Sequence, residues 1–133
     1  MLDPYKPGNV IAEWAAAGWI RHCHARAAVP NNPKNLTGEH ENGDVGRGIQ
    51  YPFAEPGPGE YHAEWDERLL EPWKEGIRIL MRHRVSDPKS KLGQISTEFI
   101  PGPDYGMGCR YSLFAQAIAC VEWMRAEWAA ISS

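Results

Sequence analysis

Four segments of this chain carry a regular pattern of apolar and polar positions. Residues 9–17 are predicted to form a helix, because Asn9 is a good N-cap, alanines fill the turns and Gly18 suits a helix end. Residues 19–25 follow at once and are typical of a strand, which must end before Pro30.

A second helix is predicted over residues 63–84, where one apolar face recurs at spacings of four, four, four and three residues. Pro72 lies inside this run and is expected to kink or divide it, because proline lacks a backbone N–H. The apolar face consists of Trp65, Leu69, Trp73, Ile77 and Leu80.

The C-terminal third predicts a second strand and a closing helix. Residues 94–99 alternate in the manner of a strand, with Ser96 and Glu98 on the face opposite Ile95, Thr97 and Phe99. A Gly/Pro loop follows, and residues 111–130 are then predicted to form an amphipathic helix. Its apolar residues include Phe114, Ile118, Val121 and Trp128.

Residues 27–62 are rich in Pro, Asn and Gly and have no sustained period, so they are predicted to form one long loop. Such loops inside a small domain tend to be functional. Low-complexity disorder is the alternative, and the apolar anchors Tyr51, Phe53 and Tyr61 disfavour it.

The predicted order is helix, strand, long loop, helix, strand, loop, helix. Strands that alternate with helices pair in parallel through right-handed crossovers, so we expect an α/β fold. Parallel sheets are normally buried, and two strands alone leave both edges open. The pattern therefore predicts missing strands, and self-association through the exposed sheet edges.

Composition narrows the class of protein. The 133 residues suit a single domain spanning 1–133, and the net charge of −3 gives no footprint for nucleic acid. No apolar run is long enough for a membrane span, and no secretory signal is visible. The three cysteines lack CxxC spacing, which favours reduced thiols in a cytoplasmic protein.

The stretch WIRHCHAR, residues 19–26, carries the first candidate chemistry. His22, His24 and Arg26 share one face of the predicted strand, because strand side chains alternate. Neutral imidazole is a common metal ligand, and His24 at the strand end is the better candidate. His22, deeper in the strand, is more typical of a half-buried histidine that has no ligand.

Glu98, near the end of the second strand, is the second candidate, because a metal would offset the cost of burying its carboxylate. A salt-bridge or capping role is the alternative. Together His24 and Glu98 lie at the C-terminal ends of consecutive strands, where α/β barrels assemble active sites. Arg47, between two glycines, suits either a phosphate contact or a solvated loop position.

With HCHAR, the Pro/Asn-rich loop and STEFIPGPDYG in place, the chain resembles a known family. It is similar to the C-terminal part of the xylose isomerase-like TIM barrels, the sugar phosphate isomerase/epimerase group. The resemblance implies a partial (β/α)8 barrel, a C-terminal βαβα portion with a long βα loop. It covers nearly the whole chain.

The resemblance also implies a site. His24 matches the family's histidine ligand, Glu98 its final glutamate, and Arg26 a residue that points at substrate, while the other two ligands come from strands not seen in this sequence. A divalent ion (Mn²⁺, Mg²⁺ or Zn²⁺) would polarise a carbonyl of a sugar or sugar phosphate and stabilise the enediolate formed by proton loss. Glu98 would act as ligand and as acid/base partner, with Arg26, Arg47 and His22 near the substrate.

Other readings come from different classes of protein. An apurinic-site endonuclease shares this barrel, but several metal ions would need a denser set of His and carboxylates, and DNA would favour a basic surface. The third reading is a non-catalytic truncated fragment, or a subunit that completes its barrel with another chain. Kinship of fold does not by itself establish activity.

Overall fold

The first helix, α1 (Val10–Ala16), forms as the sequence predicts. A computed structural model describes residues 3–30, 48–61, 63–101 and 110–133. The Asn9 side chain accepts a hydrogen bond from the Ala12 N–H at 3.1 Å, which caps the helix. Gly18 has a φ of 71°, the left-handed conformation that ends helices and that glycine adopts without strain.

The parallel pairing expected from the sequence is confirmed. β1 (His22–Ala25) pairs with β4 (Gln94–Thr97) in parallel, with His22 opposite Gln94 and Ala25 opposite Thr97. The prediction that β1 begins at Trp19 was wrong. The Trp19 N–H donates to the Trp14 carbonyl at 3.1 Å and so belongs to the helix end.

The prediction of a loop without regular structure over residues 27–62 was wrong at two places. β2 (Ala28–Pro30) and β3 (Gly48–Gln50) form an antiparallel pair. Both are three residues long, too short to show a period in the sequence. The proposed anchors are in place, because Tyr51 and Phe53 are buried and Tyr61 packs against the same core.

The expected division of the second helical run is present. A 3-10 turn, Glu67–Leu70, precedes α2 (Glu71–Ser86), and Pro72 lies in the first turn of α2, where a missing N–H costs no hydrogen bond. Ile77 and Leu80 are buried as predicted. Leu69, which the same period placed in the core, is exposed because it lies in the turn.

The closing helix, α3 (Leu113–Ser132), has the predicted length but begins and ends two residues later, and it buries a different face. Its buried side chains are Gln116, Cys120 and Met124. Phe114, Ile118 and Trp128, expected to form the core-facing stripe, are exposed large hydrophobic residues. Two apolar stripes run along this helix, and periodicity alone does not say which one meets the sheet.

All three helices cover the same face of the β1/β4 sheet. One cluster joins Ala25, α2 and α3, and a second joins α1, Leu80 and Leu92; Cys23 and Ile95 pack against both. Across the described ranges the fold is therefore a small α/β arrangement of three helices and a two-stranded parallel sheet that does not close. No helix within them has the length and apolar character to cross a bilayer.

Candidate functional site

The open face of the β1/β4 sheet carries the polar side chains. Cys23, Ala25 and Ile95 point into the core, so the alternate residues on both strands point away from it. These alternate residues are His22, His24, Gln94, Ser96 and, directly after β4, Glu98. The period-two pattern read from the sequence therefore places them on one surface.

His24 and Glu98 meet on this face, as the sequence predicted. His24 Nδ1 lies 2.7 Å from Glu98 Oε2, a short hydrogen bond between side chains 74 residues apart in the chain. The His24 side chain is 61% exposed and the Glu98 side chain 33%. If Nδ1 of a neutral ring donates this bond, Nε2 carries the lone pair and faces away from Glu98, free for a ligand.

Arg26 completes a small charged group at the end of β1. Its Nη1 lies 3.9 Å from Glu98 Oε1, the carboxylate oxygen that His24 does not contact. The Glu98 N–H donates to the Ala25 carbonyl at 3.2 Å, which fixes this backbone position beside the strand end. An imidazole and a guanidinium thus flank one carboxylate, which suits binding of a polar molecule that carries oxygen atoms.

His22 lies next to His24 rather than in the core. Its Nε2 is 2.9 Å from Ser96 Oγ, and the two imidazole rings are 4.5 Å apart. The Ser96 contact holds the His22 ring on the open face. The structure therefore brings His22, His24, Arg26 and Glu98 together, and only Arg47, among the predicted site residues, lies outside the described part of the chain.

Gln50 holds the backbone that follows Glu98, and the sequence analysis did not identify it as a site residue. Its amide accepts from the Ile100 N–H at 2.9 Å and donates to the Ile100 carbonyl at 3.2 Å, two residues after Glu98. Gln50 is 1% exposed and Tyr51 N–H donates to the Ala27 carbonyl at 2.9 Å. A glutamine inside a polar loop gives no sequence signal of such a role.

The donor set for a metal ion is small. Among the residues described, no group of three or more His, Cys, Asp or Glu side chains could hold a metal ion. His24 and Glu98 supply two donors, and the histidine of the neighbouring position, His22, has its Nε2 turned to Ser96.

The two described cysteines are not suited to nucleophilic chemistry. Burial raises the pKa of the Cys23 thiol, and burial raises the pKa of Cys120 to about 12 despite the nearby Lys74 charge, so the reactive thiolate is suppressed at neutral pH. Cys109 lies outside the described residues. The polar face of β1 and β4 therefore remains the candidate site.

Fold and site together define a small α/β protein with a histidine–carboxylate pair on an open parallel sheet. Comparison with protein-family models, with curated proteins and with solved structures finds no match to this chain. The family resemblance drawn from the sequence motifs therefore stays a hypothesis.

Proposed function

We propose that the open face of β1 and β4 belongs to a sugar or sugar phosphate isomerase/epimerase-like site within a partial TIM barrel. The observation that supports it most is the 2.7 Å contact between His24 Nδ1 and Glu98 Oε2. These groups lie at the C-terminal ends of two paired parallel strands, the position of active sites in α/β barrels.

Each residue has a role that follows from its contacts. Glu98 keeps Oε1 free of the His24 contact, so this oxygen can take the proton from the carbon next to a sugar carbonyl. Arg26, 3.9 Å from that oxygen, binds substrate oxygen atoms or a phosphate. His24 binds the substrate through Nε2. His22, whose ring is hydrogen-bonded to Ser96, lies beside it.

A divalent ion fits this proposal only in part. The side chains of His24 and Glu98 would hold such an ion together only if it replaced the hydrogen bond between Nδ1 and Oε2. Among the described residues no third His, Cys, Asp or Glu side chain completes a metal-binding group, so the remaining ligands would come from other residues. Such an ion, when bound, would polarise the sugar carbonyl.

A second candidate function is that of a non-catalytic subunit that completes its barrel by joining another chain. The observation that favours it is the open sheet, because within the described residues β1 and β4 have no further strand at either edge. Unpaired backbone groups at sheet edges promote association. On this reading the same site residues would act only in the assembled barrel.

The test follows the proton that the proposed reaction removes. The protein is incubated in D₂O with Mg²⁺ and a panel of aldoses, ketoses and their phosphates, and ¹H NMR records loss of the hydrogen next to the carbonyl. We expect exchange above the protein-free rate, and a loss of about 100-fold in Glu98→Gln, because this change removes the base and keeps the shape.

Glu64→Gln is the matched control, since Glu64 is exposed and belongs to neither β1 nor β4. It should exchange like the wild type. Absence of exchange, combined with sugar-dependent shifts of the His24 ring signals, would favour the non-catalytic subunit. Absence of both exchange and shifts would refute the sugar proposal.

A further inference from the structure

One face of α3 carries a heptad seam. Phe114, Ile118, Val121, Arg125 and Trp128 follow one another at spacings of four, three, four and three residues, so they line one side of the helix. This is the pattern by which two helices pack along each other. We name these five residues the α3 seam.

Four of the five α3 seam residues are exposed in the described parts of the chain, whereas Val121 is partly buried and packs against the main core cluster. Phe114 is 76% exposed, Ile118 42% and Trp128 41%, although a single exposed apolar residue would need no explanation. The residues that α3 buries in its own core are Gln116, Cys120 and Met124.

An apolar groove of about 590 Å³ continues the seam. Val121, Met124, Arg125 and Trp128 form its α3 side. Its other walls include Met81 of α2 and Ile95 of β4. The surface beside α3 is therefore both apolar and concave, which suits side chains that project from a neighbouring helix.

The charges on α3 indicate which helix fits. Arg125 and Glu122 lie three positions apart, and neither makes an ion pair with another described residue. In an antiparallel pair with Ile118 level with Trp128 of a second copy, Val121 is level with Arg125 of that copy. Glu122 then falls within one position of the same Arg125, and by symmetry the ion pair forms twice.

From this self-complementarity we infer that the α3 seam is the contact surface of an antiparallel dimer of this chain. The layers of Ile118 and Trp128 exclude water, and the paired charges of Arg125 and Glu122 set the antiparallel direction and the register. The inference goes beyond the proposed sugar chemistry. It also names a surface different from the sheet edges, where the sequence alone predicted self-association.

The first experiment measures molecular mass by light scattering over a range of protein concentrations. The wild type should be a dimer that dissociates on dilution, and Ile118→Lys should raise the dissociation constant at least about tenfold, since a charge would enter an apolar layer. Trp19→Ala is the control: Trp19 is 72% exposed but lies before β1, so the dimer should persist.

The second experiment exchanges the charges. Glu122→Arg alone and Arg125→Glu alone should each weaken the dimer at least about tenfold, because like charges then face each other. The double variant E122R/R125E restores opposite charges and should recover most of the affinity. Circular dichroism of every variant checks that α3 still forms.

Three results would overturn the inference. They are a monomeric wild type, a dimer unaffected by Ile118→Lys, and a double variant as weak as the worse single one. The second result would assign association to the sheet edges instead. None of these results depends on the exchange of the sugar hydrogen that tests Glu98. The proposed function is therefore tested separately.

Discussion

At the scale of single residues, the buried Lys74 shows how the core accommodates a charge. Lys74 is 4% exposed, and its Nζ lies 2.8 Å from Glu67 Oε1, so the ammonium has an ionic partner at the surface. The same nitrogen lies 5.4 Å from the ring centre of Phe53 and 5.8 Å from that of Trp123. Aromatic faces attract cations, and together these contacts offset the loss of hydration.

Arg78 and Glu127 give a prediction about pH at this scale. The hydrogen bond from Arg78 lowers the pKa of Glu127 below its ordinary value of 4.5, with Arg78 Nε 3.0 Å from Oε2. A carboxyl group whose pKa is lower in the folded state stabilises the fold at pH values above its pKa in the unfolded chain. This stability is lost as the pH falls through the pKa of the folded state. Glu127→Gln should therefore lower the free energy of unfolding by about 1–2 kcal/mol at pH 7.

Urea denaturation at pH 7 and at pH 3 measures this difference, which should shrink at the lower pH. Glu64→Gln, at an exposed carboxylate, serves as the reference and should show little effect at either pH. A Glu127→Gln difference that stays constant between the two pH values would contradict the role of the carboxylate charge.

The site was predictable residue by residue to a limited degree. Period two and the position of strand ends placed His24 beside Glu98, because these depend only on local alternation and on parallel pairing. Ser96 was assigned to the same face as Glu98, but its hydrogen bond to His22 was not foreseen. That contact depends on the register between strands 74 positions apart, which no local pattern encodes.

At the scale of elements, the ends of helices could be predicted from a few neighbouring residues. Tertiary contacts determine which face of a helix is buried and where the short strands form. Asn9 and Gly18 bounded α1 as expected, because capping is local. The strands β2 and β3 escaped prediction because each is three residues long and, within the described ranges, pairs with the other alone. The face of α3 was misassigned because either of its two stripes could have met the sheet.

Gln116 gives a prediction for α3. Its side chain accepts from the Ala54 N–H at 2.7 Å and donates to the Ala54 carbonyl at 3.2 Å, while Gln116 itself is 4% exposed. Gln116→Ala leaves both backbone groups of Ala54 without these bonds. We expect the free energy of unfolding to fall by about 2–4 kcal/mol, since each unsatisfied buried group costs about 1–3 kcal/mol.

Chemical denaturation of Gln116→Ala beside Gln94→Ala provides the comparison. Gln94 is exposed on β4, so its truncation should change the free energy of unfolding by less than about 0.5 kcal/mol. Equal losses in the two variants would show that the Gln116 contacts contribute nothing specific.

At the scale of the whole molecule, the two parts of the core are joined through the sheet. Cys23 and Ile95, neighbours in the β1/β4 register, pack against the cluster under α2 and α3 and also against the cluster under α1. All three helices therefore pack on the same two-stranded sheet, and we expect a single cooperative unfolding transition.

Ile95→Ala tests this coupling. Loss of three carbon atoms from a partly buried isoleucine should lower the free energy of unfolding by about 2–3 kcal/mol. Far-UV circular dichroism and tryptophan fluorescence should shift together, at one fixed protein concentration. Val85→Ala, on the exposed side of α2, should leave both transitions in place, whereas separate midpoints in Ile95→Ala would show two independent units.

The two buried glutamines have a mechanical consequence. Gln50 hydrogen-bonds to the backbone of Ile100, two residues after Glu98, and Gln116 of α3 hydrogen-bonds to the backbone of Ala54. The five residues 50–54 therefore connect the segment after Glu98 with α3. A segment this short can change its length very little. A shift or tilt of α3 would therefore displace residues 50–54, and through Ile100 it would move Glu98.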